Sequence, residues 1–258
     1  MLIYYMQTID ILYNNIPFKV RKHFEKEDMN VLGEVFSEAN YPIEQFLRNA
    51  PKVVVDVGGH VGSFSKRCQH LFPGCRTYTI EPDIENYNMC KLNLDYYNYG
   101  TVIRGVFNYY PDKVYFYRSI KEASGGGFLT NELIPNKDDV QQAEDQVYAL
   151  HNDFEDVEHY TLRSLMNKHN IDEINLLKLD CEGGENGFLM QDCPDLDLLP
   201  KIDTIMGEWH GFEDYSPESP TQSMLFNKLK EILGQTHRSW MHDPELKDGL
   251  GVFGFTRM

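Results

Sequence analysis

The feature that most constrains this chain is a glycine turn set directly after a short β-branched run. Residues 52–56 read KVVVD, the pattern of a strand buried on both faces. Asp56 is followed by Gly58, Gly59 and Gly62, giving D-x-G-G-x-x-G, and residues 63–71 then read as a helix. Glycines at such a junction allow a tight turn and close backbone approach to a ligand, with helix N–H groups facing it. For the glycines alone, an ordinary structural turn is the competing explanation. Residues 76–81 predict a second strand, Asp83 suits the cap of a helix over 84–94, and residues 101–106 predict a third strand. This alternation predicts βαβ units and a mainly parallel sheet.

After residue 106 the pattern changes. Residues 113–117 alternate like a surface strand, and a polar insertion follows over about 119–158, rich in Asp, Glu, Asn and Gln. A stretch of this length predicts a lid, an insertion or a mobile loop, and Ser124 to Gly127 (SGGG) offers a hinge for it. Alternation resumes with a helix over 161–169 and a strand over 174–180, then strands over 204–208 and 251–256 flanking a helix over 222–233. Residues 1–50 read as a helical N-terminal extension, and residues 51–258 as a single domain with one core. The extension either caps an acceptor pocket or mediates dimerisation.

The nicotinamide fingerprint is G-x-G-x-x-G, and His60 stands two residues after Gly58, so that pattern fails. An Asp at the end of the strand suits an amine-bearing or cationic ligand better than a pyrophosphate. S-adenosylmethionine (SAM) carries a sulfonium and an α-amino group and no phosphate. Glu81 ends the second strand, where a carboxylate can accept hydrogen bonds from both ribose hydroxyls of a nucleoside cofactor. NAD enzymes use the same device, so Glu81 identifies a ribose rather than the whole cofactor.

Three strings resemble the FkbM-type SAM-dependent methyltransferases. Residues 54–64 read VVDVGGHVGSF, residues 81–83 read EPD with Glu85 and Asn86 after them, and residues 177–185 read LKLDCEGGE. The last, K-x-D-x-E-G-x-E, is the most specific. His60 departs from the Asn usual in that turn. The resemblance implies a Rossmann-like class I methyltransferase fold: a mainly parallel seven-stranded sheet with an antiparallel last strand and SAM across the strand C-termini. By position it places Asp56, Gly58, Gly59, His60 and Gly62 at the methionine end, Glu81 on the ribose, and Pro82, Asp83 and Asn108 near adenine. It also implies methylation of hydroxyl oxygens on small molecules or sugars.

Methyl transfer needs an aligned nucleophile, removal of its proton and exclusion of water. Asp180 closes the expected fourth strand, and Lys178, Asp180 and Glu182 alternate, so Lys178 can pair with either carboxylate and fix it. Glu208 and His210 share a face at the end of the next strand, and His210 is the candidate general base. Asp180, Glu182, Glu208 and His210 can also converge on Mg²⁺, while a hydrogen-bonded loop histidine and a helix-end Glu185 are the plainer readings. Trp209, Trp240 and the tyrosines are mostly packing, with substrate stacking open to some of them.

Composition narrows the partners. A net charge of -16 repels phosphate backbones and anionic lipid, so neither nucleic acid nor membrane is an expected partner. The N-terminal residues lack the basic start and apolar run of a signal peptide. The 5 Cys form no CxxC pair, which fits reduced thiols and a cytoplasmic location. The expected partner is a small-molecule or glycan acceptor, with homodimerisation open. A nicotinamide-dependent oxidoreductase on a related fold and a non-catalytic SAM-binding partner protein are the alternatives.

Overall fold

In the computed structural model, the described residues are 6–47, 49–94, 99–107, 109, 114–119, 126–130, 148–150, 157–181, 184–189, 193–210, 222–242 and 250–258. The chain opens on a hairpin, β1 (Thr8–Tyr13) and β2 (Ile16–Arg21), followed by α1 (Glu25–Val35) and the short α2 (Ile43–Phe46). The expectation of an all-helical extension is corrected here. Asn14 and Asn15 take positive φ (48° and 64°), the geometry of a two-residue hairpin turn whose twist matches the flanking strands. The alternating Ile16, Phe18 and Val20 then bury against Leu32 of α1.

The main sheet is built from β3 (Val53–Val57), β4 (Arg76–Glu81), β5 (Gly100–Phe107), β9 (Glu158–Tyr160), β10 (Leu176–Leu179), β11 (Thr204–His210), β12 (His237–His242) and β13 (Leu250–Arg257). Its order is β12-β13-β11-β10-β3-β4-β5-β9. β3, β4, β5, β9, β10 and β11 run parallel, and β13 enters antiparallel between β11 and β12. This is the Rossmann-like order with an antiparallel last strand. One strand is added to the expected seven, because β9 extends the β5 edge. β12 had no counterpart among the predicted strands.

Helices α3 (Ser63–Leu71), α4 (Ile84–Leu94), α5 (Leu162–His169) and α6 (Gln222–Leu233) lie where the sequence predicts them. Alternate β3 residues serve two cores. Val53, Val55 and Val57 pack with Leu162, Leu165, Leu225 and Leu229. Val54 faces Phe64 and Cys68 of α3 together with Val35, Tyr41 and Ile43 of the N-terminal segment. That second face also carries Asp56 and Lys178, two residues on from Val54 and Leu176.

The expected surface strand is β6 (Val114–Ser119), and it pairs antiparallel with β7 (Gly126–Thr130) and β8 (Tyr148–Leu150) of the expected insertion in a three-stranded sheet. Gly126 and Gly127 belong to β7 rather than to a hinge, while Ser124 and Gly125 lie outside the described residues. Among the described residues no helix is long and apolar enough to cross a membrane.

Candidate active site

Because β3, β4, β10 and β11 run parallel, Gly58, Glu81, Asp180 and Glu208 gather at one edge of the sheet, where open α/β sheets take ligands. The glycine turn is compelled by its neighbours. Gly58 and Gly62 both have φ of +81°, and a Cβ on Gly58 would lie 1.6 Å from the Asp180 carbonyl oxygen. The Gly58 and Gly59 N–H groups both donate to the Ile80 carbonyl, at 3.0 and 3.1 Å. Cys90 Sγ donates to the His60 carbonyl at 2.9 Å, tying the turn to α4.

Asp56 lies beneath this turn with no exposed surface. Its Oδ2 accepts from the Ser65 hydroxyl at 2.8 Å and the Ser65 N–H at 3.2 Å, and Oδ1 lies 3.4 Å from Lys178 Nζ. Asp56 therefore shapes the turn from below. Burial pushes its carboxyl up, against the pull of Lys178 and Ser65.

Lys178 is the centre of the edge. Its Nζ donates to the Gly58 carbonyl at 2.6 Å and sits 3.1 Å from Asp180 Oδ2. Burial pulls the ammonium down, and the Asp180 and Asp56 carboxylates outweigh that and hold it above the usual lysine range. Asp180 Oδ2 also accepts from the Tyr41 hydroxyl at 2.9 Å. Burial, then the negative charges of Asp180, Glu208 and Glu34, keep Tyr41 protonated well above the ordinary phenol range. Asp180 is thus fixed by two donors, and its side chain is 22% exposed at the edge.

Glu81 is held on both oxygens: Oε2 accepts the His60 N–H at 2.8 Å and Oε1 the Asp83 N–H at 2.9 Å. Burial and the neighbouring Asp83 push its carboxyl up to about 8, although these N–H bonds and Asn86 favour the ionised form. Asp83 caps α4 as predicted, its Oδ1 accepting from the Glu85 and Asn86 N–H groups at 2.9 Å. Pro82 joins the two acids.

Glu182 and Asn108 lie outside the described residues, as do the side chains of Trp209 and His210, although Trp209 and His210 sit in β11. Trp240 is packing: it stacks on Phe46 with ring centroids 5.1 Å apart. The Mg²⁺ expectation finds no support. Among the described residues no three His, Cys, Asp or Glu groups converge to hold a cation, and the Lys178 ammonium already sits between Asp56 and Asp180. Of the four candidate ligands, Glu182 and the His210 side chain lie outside the described residues.

Sequence reasoning missed Arg21, Asp28 and Tyr41, and gave Asn86 no role beyond its place in the second string. Arg21 and Asp28 form a fully buried ion pair at 2.5 Å beside the glycine turn. Charged residues ordinarily read as surface, and each of these finds its role only through long-range packing.

The Methyltransferase FkbM domain model matches residues 56–239. No curated protein matches the chain significantly. Among solved structures, a SAM-dependent methyltransferase from Streptococcus mutans is 10% identical, over 96% of this chain and 55% of that one, with a TM-score of 0.42. An rRNA methylase from Streptococcus thermophilus is 7% identical over 82% of this chain and 90% of that one, TM-score 0.45. Magnesium protoporphyrin IX methyltransferase from Synechocystis, with bound SAM, is 12% identical over 93% and 86%, TM-score 0.43. The chain spans little more than half the length of the Streptococcus mutans protein.

Proposed function

The chain belongs to the methyltransferase FkbM domain family, and from that premise we propose that it moves the methyl group of SAM to a hydroxyl oxygen of a small molecule or glycan. The observation that carries the cofactor reading is Glu81. An ionised carboxylate has about four lone-pair sites. Backbone N–H groups of the turn and of Asp83 take two of them and the Asn86 side chain a third, so one remains for a ribose hydroxyl. Gly58, Gly59, His60 and Gly62 would face the methionine end, and Pro82 and Asp83 the adenine end. Bound SAM supplies an electrophilic methyl carbon on a sulfonium.

What remains for the protein is to orient the acceptor and take its proton. Asp180, steadied by Lys178 and Tyr41, would accept a hydrogen bond from an acceptor hydroxyl at the sheet edge. His210, on the neighbouring strand, is the proposed proton acceptor. The net charge of -16 favours a neutral or cationic acceptor over a nucleic acid.

Calorimetric titration with SAM, S-adenosylhomocysteine and NAD tests the first step. The first two bind and NAD does not; the reverse result refutes the cofactor reading. Transfer of labelled methyl to a hydroxyl panel tests the second. His210→Ala abolishes turnover and keeps SAM affinity, and full activity in that variant removes His210 from the mechanism.

A further inference from the structure

Arg21 and Asp28 precede the family-matched range, yet their side chains, with no exposed surface, reach the cofactor turn. Asp28 Oδ1 accepts from Arg21 Nη2 at 2.5 Å, and Asp28 Oδ2 accepts the Arg21 N–H at 2.7 Å. The guanidinium has further donors. Nη1 donates to Asn86 Oδ1 at 2.7 Å, and Nη2 lies 3.1 Å from His60 Nε2. A guanidinium has only donors, so Nε2 is the acceptor. A neutral imidazole that accepts at Nε2 carries its proton on Nδ1.

Both residues held this way lie next to the acids of the proposed site. The His60 N–H donates to Glu81 at 2.8 Å, and the Asn86 N–H donates to Asp83 at 2.9 Å. His60 itself takes φ of 48°, a left-handed conformation that a non-glycine residue keeps only when its surroundings impose it. One planar fork therefore spans the glycine turn, the start of α4 and α1.

We propose that Arg21 is a positioning residue for the cofactor site. It fixes His60 as the Nδ1–H tautomer and sets the separation of the glycine turn from the start of α4. The proposal rests on the reading that Glu81 and the turn hold SAM. A lysine at this position has a point charge without the fork and does not replace it.

Arg21→Met alone leaves the buried Asp28 carboxylate without its counter-ion. The test therefore uses the pair Arg21→Met/Asp28→Leu, together with Arg21→Lys. The control is Arg67→Met, which cuts another tie of the N-terminal segment. Arg67 Nη1 donates to the Val35 and Tyr41 carbonyls at 2.6 and 3.0 Å, away from the turn. The readouts are the thermal midpoint, SAM affinity, and the ring-nitrogen NMR signals of His60, assigned by their loss in His60→Gln. In the wild type, Nδ1 is protonated and Nε2 accepts. In both Arg21 variants that signature is lost and SAM binds about tenfold or more weakly, near 1.4 kcal/mol. Arg67→Met lowers the midpoint and keeps both. An Nε2–H tautomer in the wild type overturns the proposal, and so does a SAM loss in Arg67→Met matching that of the Arg21 variants. A wild type that binds no SAM refutes the cofactor reading instead, and the His60 signals then decide whether Arg21 holds the turn.

Discussion

SAM affinity should rise with pH through the range in which Glu81 ionises. The perturbation is pH itself, with Glu81→Gln as the reference. Glu81 is buried, and its carboxyl is pushed up to about 8. With that value, about 3% of the protein carries the carboxylate at pH 6.5 and about 97% at pH 9.5. The His60 and Asp83 N–H groups and the Asn86 side chain already donate to this carboxyl, so a lone pair for a ribose hydroxyl is left on the ionised form and not on the protonated one. Affinity should therefore increase about 30-fold between these pH values, near 2 kcal/mol. The assay is SAM titration at half-unit pH steps at constant ionic strength.

Stability of the free protein should run the opposite way. The folded pKa is raised above the ordinary glutamate value of 4.5, so the contribution of Glu81 is fully present below 4.5 and is lost as pH rises through about 8. The increase in thermal midpoint on adding SAM should thus widen toward alkaline pH. Lys66, buried and with its ammonium pulled down by burial to about 8, titrates in the same window, as does the ligand's own amine. Glu81→Gln separates them, because it keeps both and removes the carboxyl. A flat wild-type profile, or an unchanged slope in Glu81→Gln, refutes the assignment of the ribose to Glu81.

Two further predictions concern the frame around this acid. Gly58→Ala places a methyl 1.6 Å from the Asp180 carbonyl oxygen at φ of +81°, so β3 and β10 must separate. Chemical denaturation should show a loss of about 3 kcal/mol or more, and a variant of wild-type stability would mean that the two strands sit further apart than described. Lys178→Met strips the ammonium from Asp56 and Asp180, at a cost of about 3–5 kcal/mol at pH 8. Without the lysine the buried Asp56 carboxyl is pushed further up, so the deficit should shrink at pH 5, and an equal deficit at both pH values would remove Lys178 as the counter-ion.

The legible parts of the fold were those with local causes. The run at 53–57 is buried on both faces and contains no charge until Asp56, so period and length together identified β3. Positive φ at Gly58 and Gly62 explains why glycine stands there, and Asp83 caps α4 by a bond to its own near neighbours. The hairpin at the start had a signal of the same local kind. Ile9, Ile11 and Tyr13, then Ile16, Phe18 and Val20, alternate around Asn14 and Asn15, which supply the left-handed turn. Ile9, Tyr13, Ile16 and Val20 also recur at i, i+4, i+7 and i+11, the spacing of a helix face, and the helical pattern of α1 directly after them drew the whole segment into one assignment.

What had no local cause was the junction between that segment and the site. Arg21 is a charged residue at a strand end, and nothing within several residues of it distinguishes a solvated arginine from one with no exposed surface. Its partners arrive from α1, the glycine turn and α4, so its role exists only once the chain is folded. Tyr41 is similar: an aromatic between α1 and α2 that reaches a carboxylate just past the end of β10. The recognisable family range therefore ends short of the groups that complete its own site. A chain cut at residue 56 would lose Arg21 and Tyr41 as donors to His60 and Asp180. It would also lay open the face formed by Phe64, Cys68, Leu176 and Met206, which Val35, Tyr41 and Ile43 now cover. The N-terminal segment packs against that face. It is the second layer on one face of the sheet, and the electrostatics of the cofactor turn depend on it.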